Sequence, residues 1–358
     1  MAQTSRHRIC TINTIRSSHT SVATLLKKFY ALASGILTLQ GRSMTFSKVS
    51  LALLASFLSF STFAAENLPF HHEAEIGFMD SSEDSDGLVN AQYSYYFTAV
   101  EQTDRPYQLA AFLNQGAVIS ARYATTEYQD LYALSGEYVF DSKWFIGAEY
   151  LKIAHEKSFS NLFDDVDTYH VNTGYYFSEG SKLTLGYTTS SQSESRYLKG
   201  SYFEVDEQQS RDFDLYSLTY EHFLPFESTS GLFLTAGINY QKTANNRYAS
   251  GYTLDGDLQP DPFDTHVIVD NSTLILGVEA DWYINNAWSV GVATSYLQLK
   301  MDYSQDEHRY NDNQNISNIN TQYYWHFSDI FSAKFVAQQV FVDSDSETNL
   351  GVAINARF

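Results

Sequence analysis

The amino-acid sequence predicts an all-β protein, a transmembrane antiparallel up-and-down β-barrel of about fourteen strands. Three observations predict it. Apolar residues alternate with small or polar ones along most of the chain, short turns alternate with long polar connections, and aromatic residues flank the short turns. Alternation with period two marks a strand with two different faces. In a membrane-spanning barrel, one face contacts lipid and the other encloses a polar interior.

The last strand shows the alternation most clearly. Every second residue from Leu350 to Phe358 is apolar, and the residues between them are small or polar. Thirteen other segments repeat the pattern, with an apolar outward set and a small or polar inward set; the eighth is the weakest because His222 interrupts its apolar row. The fourteen segments are residues 72–80, 88–98, 116–125, 131–140, 144–153, 167–177, 182–192, 212–224, 231–242, 272–283, 288–299, 316–327, 331–342 and 348–358.

The connections between these segments alternate in length. Short turns on one side and long loops on the other, with an even strand count, are typical of an outer-membrane barrel, and both chain ends then lie on the periplasmic side. Twelve or sixteen strands stay as alternatives, because two of the long connections could form another hairpin above the membrane. The short turns are 141–143, 178–181, 225–231, 285–287 and 328–330, and the long connections lie near 154–166, 193–211, 243–271 and 300–315.

Aromatic residues make up 16 % of the chain and cluster beside the short turns. Amphipathic rings settle at the headgroup level of a bilayer, so this cluster predicts an interfacial girdle that holds all four Trp. A soluble sandwich also alternates, but it would have to hide the apolar face of every strand. The residues of the predicted girdle are Tyr138, Phe140, Trp144, Tyr175, Phe177, Trp282, Trp288, Trp325 and Phe327.

The N-terminal region predicts export. Lys48 precedes a short apolar stretch, and Thr62 and Ala64 supply the small residues of a cleavage site, so residues 44–64 are expected to form a signal peptide. Residues 1–43 are then a non-native extension from an upstream start codon, and residues 65–358 form the barrel. The only cysteine, Cys10, lies in the extension, so no disulfide framework exists.

The charge of the chain is divided sharply. Residues 1–64 contain seven Lys or Arg and no Asp or Glu, so the formal net charge of -20 becomes -27 for residues 65–358 once these seven are removed. Such a body repels nucleic acid, which excludes a DNA-binding or RNA-binding function.

Two segments carry a resemblance to known proteins. The alternating end at Phe358 resembles the C-terminal signal that outer-membrane proteins present to the barrel assembly machinery. The stretch RPYQLAAFLNQG, residues 105–116, resembles the P-L-x-E-A-A-F-L-x-R segment of a family of putative bacterial porins, with Gln108 and Gln115 in place of charged residues. This resemblance implies a porin in the outer membrane of a Gram-negative cell; the segment itself is expected to be a short periplasmic helix or turn. The matching residues are Pro106, Leu109, Ala110, Ala111, Phe112, Leu113 and Asn114.

No motif indicates an enzyme, a cofactor or a metal. His170, His222 and His326 fall on different predicted strands, and no G-x-S-x-G, H-E-x-x-H or paired-Cys pattern is present. The pair His71 and His72 is expected to be solvated at the rim. The acidic stretches 80–87 and 254–264 do not match a complete calcium-binding loop and indicate a solvated, anionic outer face.

The inward positions predict a charged pore lining. Seven acids against four bases predict a mild cation preference, because rings of charge bias permeation by ion sign; the alternative is that the acids and bases pair and fill the interior. The predicted pore-lining residues are Glu73, Glu75, Arg122, Glu137, Glu149, Lys182, Glu221, Glu279, Asp281, Lys334 and Arg357.

The expected function is that of an outer-membrane porin for small hydrophilic solutes or ions. The first alternative is an adhesin or structural barrel that acts through long acidic extracellular loops, and the second is a barrel hydrolase. The expected partners are outer-membrane lipid and lipopolysaccharide, the barrel assembly machinery and small hydrophilic solutes; a homo-oligomer is compatible with this reading.

Overall fold

A computed structural model describes residues 68–82, 87–155, 165–200, 203–254, 260–303, 309–343 and 345–358. The chain forms a closed antiparallel barrel of fourteen strands in sequence order, in which the first strand pairs with the last. The predicted fold class is therefore confirmed. The strands are β1 (Phe70–Ser81), β2 (Leu88–Val100), β3 (Val118–Thr125), β4 (Gln129–Val139), β5 (Trp144–His155), β6 (Asp165–Ser178), β7 (Ser181–Lys199), β8 (Phe203–Leu224), β9 (Gly231–Leu254), β10 (Pro260–Tyr283), β11 (Trp288–Tyr303), β12 (Arg309–His326), β13 (Phe331–Val342) and β14 (Asp345–Arg357).

The outer face of the barrel is apolar. Leu134, Ile146 and Leu185 are 55 %, 56 % and 57 % exposed, although these residue types are usually buried in a soluble protein. A contiguous apolar belt on a closed sheet fits a hydrocarbon environment, where a strand assembly must close so that no edge N–H or C=O group is left without a partner. Among the described residues, no helix is both long enough and apolar enough to cross a bilayer.

Two aromatic girdles border this belt. At the short-turn end of the barrel, the outer face holds four tryptophans that are each at least 41 % exposed. They are Trp144, Trp282, Trp288 and Trp325. Nearer the other end, cross-strand tyrosines pair on the same face with ring centroids 5.1 to 5.5 Å apart. The cross-strand pairs of this tyrosine girdle are Tyr123 with Tyr132, Tyr150 with Tyr169, and Tyr187 with Tyr216.

Most of the predicted long loops are strands, which corrects the sequence prediction. β7 and β8 pair without interruption from Ser181 and His222 to Lys199 and Glu204, and β9 and β10 pair as far as Leu254 and Pro260. The stretches 193–211 and 243–271 therefore lengthen existing hairpins and add no strand to the barrel. Their polar sequence does not prevent this, because backbone hydrogen bonds between strands do not depend on apolar side chains.

Candidate functional site

The connection between β2 and β3 folds into the barrel mouth at the short-turn end. We call residues 101–117 the inner connection; it contains a 3₁₀ turn (Tyr107–Leu109) followed by helix α1 (Ala110–Asn114). Leu109 and Leu113 are buried against Phe223 and Phe233 of β8 and β9. The apolar face of this short helix is thus covered by inward-facing aromatic rings of the barrel wall.

Polar contacts hold the inner connection to several sides of the mouth. The Tyr107 N–H donates to the carbonyl of Asn286 at 2.9 Å, beside β10. The Gln115 amide donates to the carbonyl of Ser178 at 2.6 Å, at the end of β6. The connection therefore crosses the opening from β2 to strands on the far side.

One arginine links the inner connection to the seam where β1 meets β14. The Arg357 guanidinium donates to Glu73 at 2.9 Å, to the side-chain oxygen of Gln102 at 2.9 Å and to the carbonyl of Tyr107 at 3.0 Å. The Tyr96 hydroxyl donates to the other oxygen of Glu73 at 2.8 Å. The planar fork of arginine suits this use, because its donors point in fixed directions.

The four basic residues predicted to line the pore each lie beside a predicted acid. The bases pair with acids of nearby strands and are not placed across the lumen from them. This geometry matches the alternative in which acids and bases pair. The pairs are Arg122 with Glu149 (3.0 Å), Lys182 with Glu137 (2.9 Å), Lys334 with Glu75 (3.6 Å) and Arg357 with Glu73 (2.8 Å).

The other three predicted acids share one part of the inner wall. Glu221 and Asp281 are 3 % and 6 % exposed, and Glu279 lies two positions from Asp281 on β10. Asp281 and Asn320 converge over Gly291 of β11, where an added Cβ would overlap with the side-chain oxygen of Asp281. This glycine leaves the room in which the two polar side chains meet.

A ring of inward aromatic residues at the short-turn end was not predicted from the sequence. Phe145, Tyr176 and Tyr283 are 1 %, 4 % and 2 % exposed, and Tyr283 packs with the inner connection. Each directly follows an outward aromatic of the predicted girdle. The sequence pattern that could have predicted this ring is a pair of adjacent aromatic residues at the end of a strand. The first residue of the pair faces lipid and the second faces the mouth of the barrel. These adjacent pairs are Trp144–Phe145, Tyr175–Tyr176 and Trp282–Tyr283.

The inward set is also not polar throughout, which corrects a second prediction. Leu131 and Ile153 are buried together on the inner face of β4 and β5, and Ile275 and Leu297 form a similar cluster on β10 and β11. Both clusters lie in the half of the lumen that is remote from the short turns. Inward side chains of adjacent strands cover each other there, so they need no polar partner.

The described histidines lie in no group of side chains that could hold a metal ion. The ring of His72 lies 2.7 Å from the Tyr93 hydroxyl and stacks on Phe358, and no group of three or more His, Cys, Asp or Glu side chains in the described part of the chain could hold a metal ion. The acidic stretches 80–87 and 254–264 fall partly outside the described residues.

One serine–histidine contact is present on the outer face. Ser181 of β7 is hydrogen-bonded to Nδ1 of His222 on β8. A catalytic triad would also need a carboxylate that orients the histidine, and in the described residues no carboxylate is hydrogen-bonded to His222. This contact therefore lacks the third member of a triad.

Comparison with known proteins gives similarity in solved structures only. No family model and no curated protein matches the chain. Omp33 of Acinetobacter baumannii is 17 % identical with a TM-score of 0.45, over 82 % of this chain and 100 % of that one. The outer membrane protein OmpT of Vibrio cholerae is 8 % identical with a TM-score of 0.38, over 83 % and 100 % of the two chains.

The ferric citrate transporter FecA is 11 % identical with a TM-score of 0.40, and the match covers 77 % of this chain and 45 % of FecA. Closure of the sheet and the apolar belt between two aromatic girdles carry the assignment. The chain is a transmembrane β-barrel of the outer-membrane type.

Proposed function

We propose that the barrel is a passive channel for small hydrophilic solutes or ions. The observation that carries the proposal is the inner wall of the membrane-spanning part, where ion pairs and amide side chains face an enclosed lumen. Barrels of eight strands are filled by side chains, and barrels of about sixteen strands enclose an aqueous channel. A barrel of fourteen strands is closer in size to the barrels that enclose a channel than to those filled by side chains.

The inner connection sets an upper size for the solute. It occupies part of the mouth at the short-turn end, so a solute has to pass beside α1. A narrow path favours single ions and small molecules over larger substrates.

A mild cation preference follows from the charges on the inner wall. The seven predicted inward acids outnumber the four predicted inward bases, and three of the acids, Glu221, Glu279 and Asp281, lie together on β8 and β10. A one-sided group of carboxylates attracts cations along the path.

The test is planar-bilayer recording on the purified barrel. We expect discrete conductance steps and a reversal potential that indicates cation preference in a salt gradient. The double variant Glu279→Gln and Asp281→Asn should reduce that preference, whereas Asp302→Asn, at an exposed site paired with Arg309, should not. Anion preference of the wild-type barrel would reject the cation assignment, and absence of steps would reject the channel.

The extended hairpins favour a second candidate function, that of an adhesin or structural barrel. β7 to β10 continue far beyond the tyrosine girdle and carry charged residues at their ends. A barrel without conductance that binds surfaces through these hairpins would fit this alternative.

We propose that the chain is not an enzyme. The Ser181–His222 contact is the nearest approach to hydrolase geometry, so Ser181→Ala is the variant to assay with lipid and peptide substrates. Loss of a hydrolytic activity in that variant would contradict the proposal.

Export and assembly are also proposals. The signal peptide expected at residues 44–64, and the extension before it, lie outside the described residues. At the other end, the Phe358 N–H donates to the carbonyl of His72 at 3.0 Å, so the expected assembly signal lies at the β1–β14 seam. We infer that the assembly machinery recognises this last strand before the seam closes. The molecular mass of the barrel in detergent tests whether it forms a homo-oligomer.

A further inference from the structure

Arg211 differs from the other basic residues on the inner face. It lies on β8 with the same alternation as Glu207 and Phe213, which are 2 % and 6 % exposed, so its side chain faces inward. Within the described residues, six other inward basic side chains each form an ion pair, whereas Arg211 forms none. The six are Arg122, Lys182, Arg196, Arg247, Lys334 and Arg357.

The surroundings of Arg211 hold amide side chains. Gln192 of β7 and Asn245 of β9 are its direct cross-strand neighbours. Gln209, two positions along β8, has a buried side-chain oxygen without a hydrogen-bond partner. Glu194 is the inward acid opposite Gln209, and it forms no ion pair with Arg211 in the described structure. Amide groups can orient an incoming solute without neutralising the guanidinium.

The floor below Arg211 is apolar. Phe213 and Leu215 follow on the same face of β8, and both are at least nine-tenths buried. Arg211 lies five positions beyond Tyr216 of the tyrosine girdle, outside the membrane-spanning part of β8. Partial burial of its guanidinium lowers its pKa. A guanidinium that is partly desolvated and has no carboxylate partner gains free energy when it forms charge-assisted hydrogen bonds to an anion.

We propose that Arg211 binds the carboxylate of a small monocarboxylate solute that enters from the hairpin end of the lumen. One positive charge matches one negative charge, which favours a monocarboxylate over a dianionic phosphate. The planar fork of arginine fits two carboxylate oxygens, and the Phe213–Leu215 floor fits a short apolar tail. This inference rests on the proposed channel only for the role of the site; butyrate can reach Arg211 from the end of the barrel remote from the short turns without crossing the membrane-spanning part.

Isothermal titration of the full barrel in detergent with butyrate tests the site without any need for conduction. We expect saturable binding to the wild-type barrel and at least about tenfold weaker binding to Arg211→Gln, the loss of a charge-assisted hydrogen bond. Arg211→Lys keeps the charge without the fork and should bind with intermediate affinity. Arg309→Gln removes a charge from an 84 % exposed site and should bind like the wild-type barrel.

Three outcomes would overturn the site. They are no saturable butyrate binding to the wild-type barrel, equal affinity of the wild-type and Arg211→Gln barrels, and tighter binding of inorganic phosphate or neutral butyramide than of butyrate. The heat-dependent shift in gel migration shows whether each variant is folded. Butyrate binding together with absent conductance steps would reject the channel and keep the site, so the two failures are distinguishable.

Discussion

Glu204 collects three hydrogen bonds on the outer face of the β7–β8 hairpin. Lys199 donates to it at 3.1 Å and the Tyr252 hydroxyl at 2.9 Å. Hydrogen bonds from Tyr197, Lys199 and Tyr252 lower the pKa of Glu204 to about 2, from an ordinary value of 4.5. A carboxyl group whose pKa is lower in the folded state stabilises the fold at pH values above its ordinary pKa, and this contribution is lost as the pH falls through the folded pKa.

We therefore predict that the end of the β7–β8 hairpin loosens in acid. Amide-exchange protection of this end, corrected for the intrinsic pH dependence of exchange, should be constant above pH 4.5 and fall towards pH 2. Glu204→Gln should remove this dependence, whereas Asp206→Asn on the same strand should keep it. An unchanged profile in Glu204→Gln would contradict the assignment.

Glu207 is a buried carboxylate shared by two arginines. It is 2 % exposed and accepts hydrogen bonds from Arg196 of β7, at 3.0 Å, and from Arg247 of β9. Glu207→Gln removes the negative charge and leaves the two guanidinium groups without their common partner. We expect the opening free energy of the neighbouring β7–β9 amides to fall by about 1–3 kcal/mol, because both arginines are partly exposed and hydrated.

Hydrogen exchange measures this change. Glu194→Gln is the matched control, since it makes the same substitution on the inner face of β7 at a residue without an ion pair in the described structure. Equal protection in the two variants would show that the shared carboxylate does not hold the hairpins together.

The inner connection is the element on which passage through the proposed channel would depend. Leu113 is 6 % exposed and packs against Phe223 and Phe233. Leu113→Asp would place a carboxylate among aromatic rings, which is strongly unfavourable. We expect the connection to leave the mouth, with a larger single-channel conductance as the readout.

A control variant separates displacement from added charge. Thr103→Asp introduces the same charge at an exposed position of the inner connection and should change conductance little. If Leu113→Asp is folded and conducts like the wild-type barrel, the path does not pass this mouth.

Sequence patterns predicted the elements unevenly. β5 and β11 were predicted closely, because their alternation is strong and short turns bound one end of each. The ends of β8 and β9 that lie far from the short turns were predicted as loops. Charged residues lie on both faces there, such as Glu204 on the outer face and Arg247 on the inner face, so apolar and polar residues do not alternate. Backbone hydrogen bonds across the hairpin decide that such segments are strands, and the side-chain pattern does not show these bonds.

At the scale of the whole molecule, all four Trp lie in one girdle. Each is exposed on the outer face at the short-turn end. We predict that lipids brominated near the headgroup quench Trp fluorescence more than lipids brominated near the bilayer centre, because indole rings settle at the interface. Barrel unfolded in urea should lose this difference. Stronger quenching by the deep bromines would contradict the proposed position in the membrane.

The sequence by itself determined the barrel, its strand alternation and the outer aromatic girdle. These features are local, since period two and the turn residues between strands can be seen within a short window. The predicted pore-lining bases could be named for the same reason, but their ion-pair partners on other strands could not.

Only the tertiary structure decided what happens inside the barrel. Arg357 donates to Tyr107 across 250 positions of sequence, and Tyr283 donates to Gln108 across 175. No periodic pattern encodes such contacts, because they depend on closure of all fourteen strands around one segment. The inner connection takes its place only once the first strand has met the last, because Arg357 at this seam donates to Gln102 and Tyr107. The environment of Arg211 needs only the pairing of β7, β8 and β9.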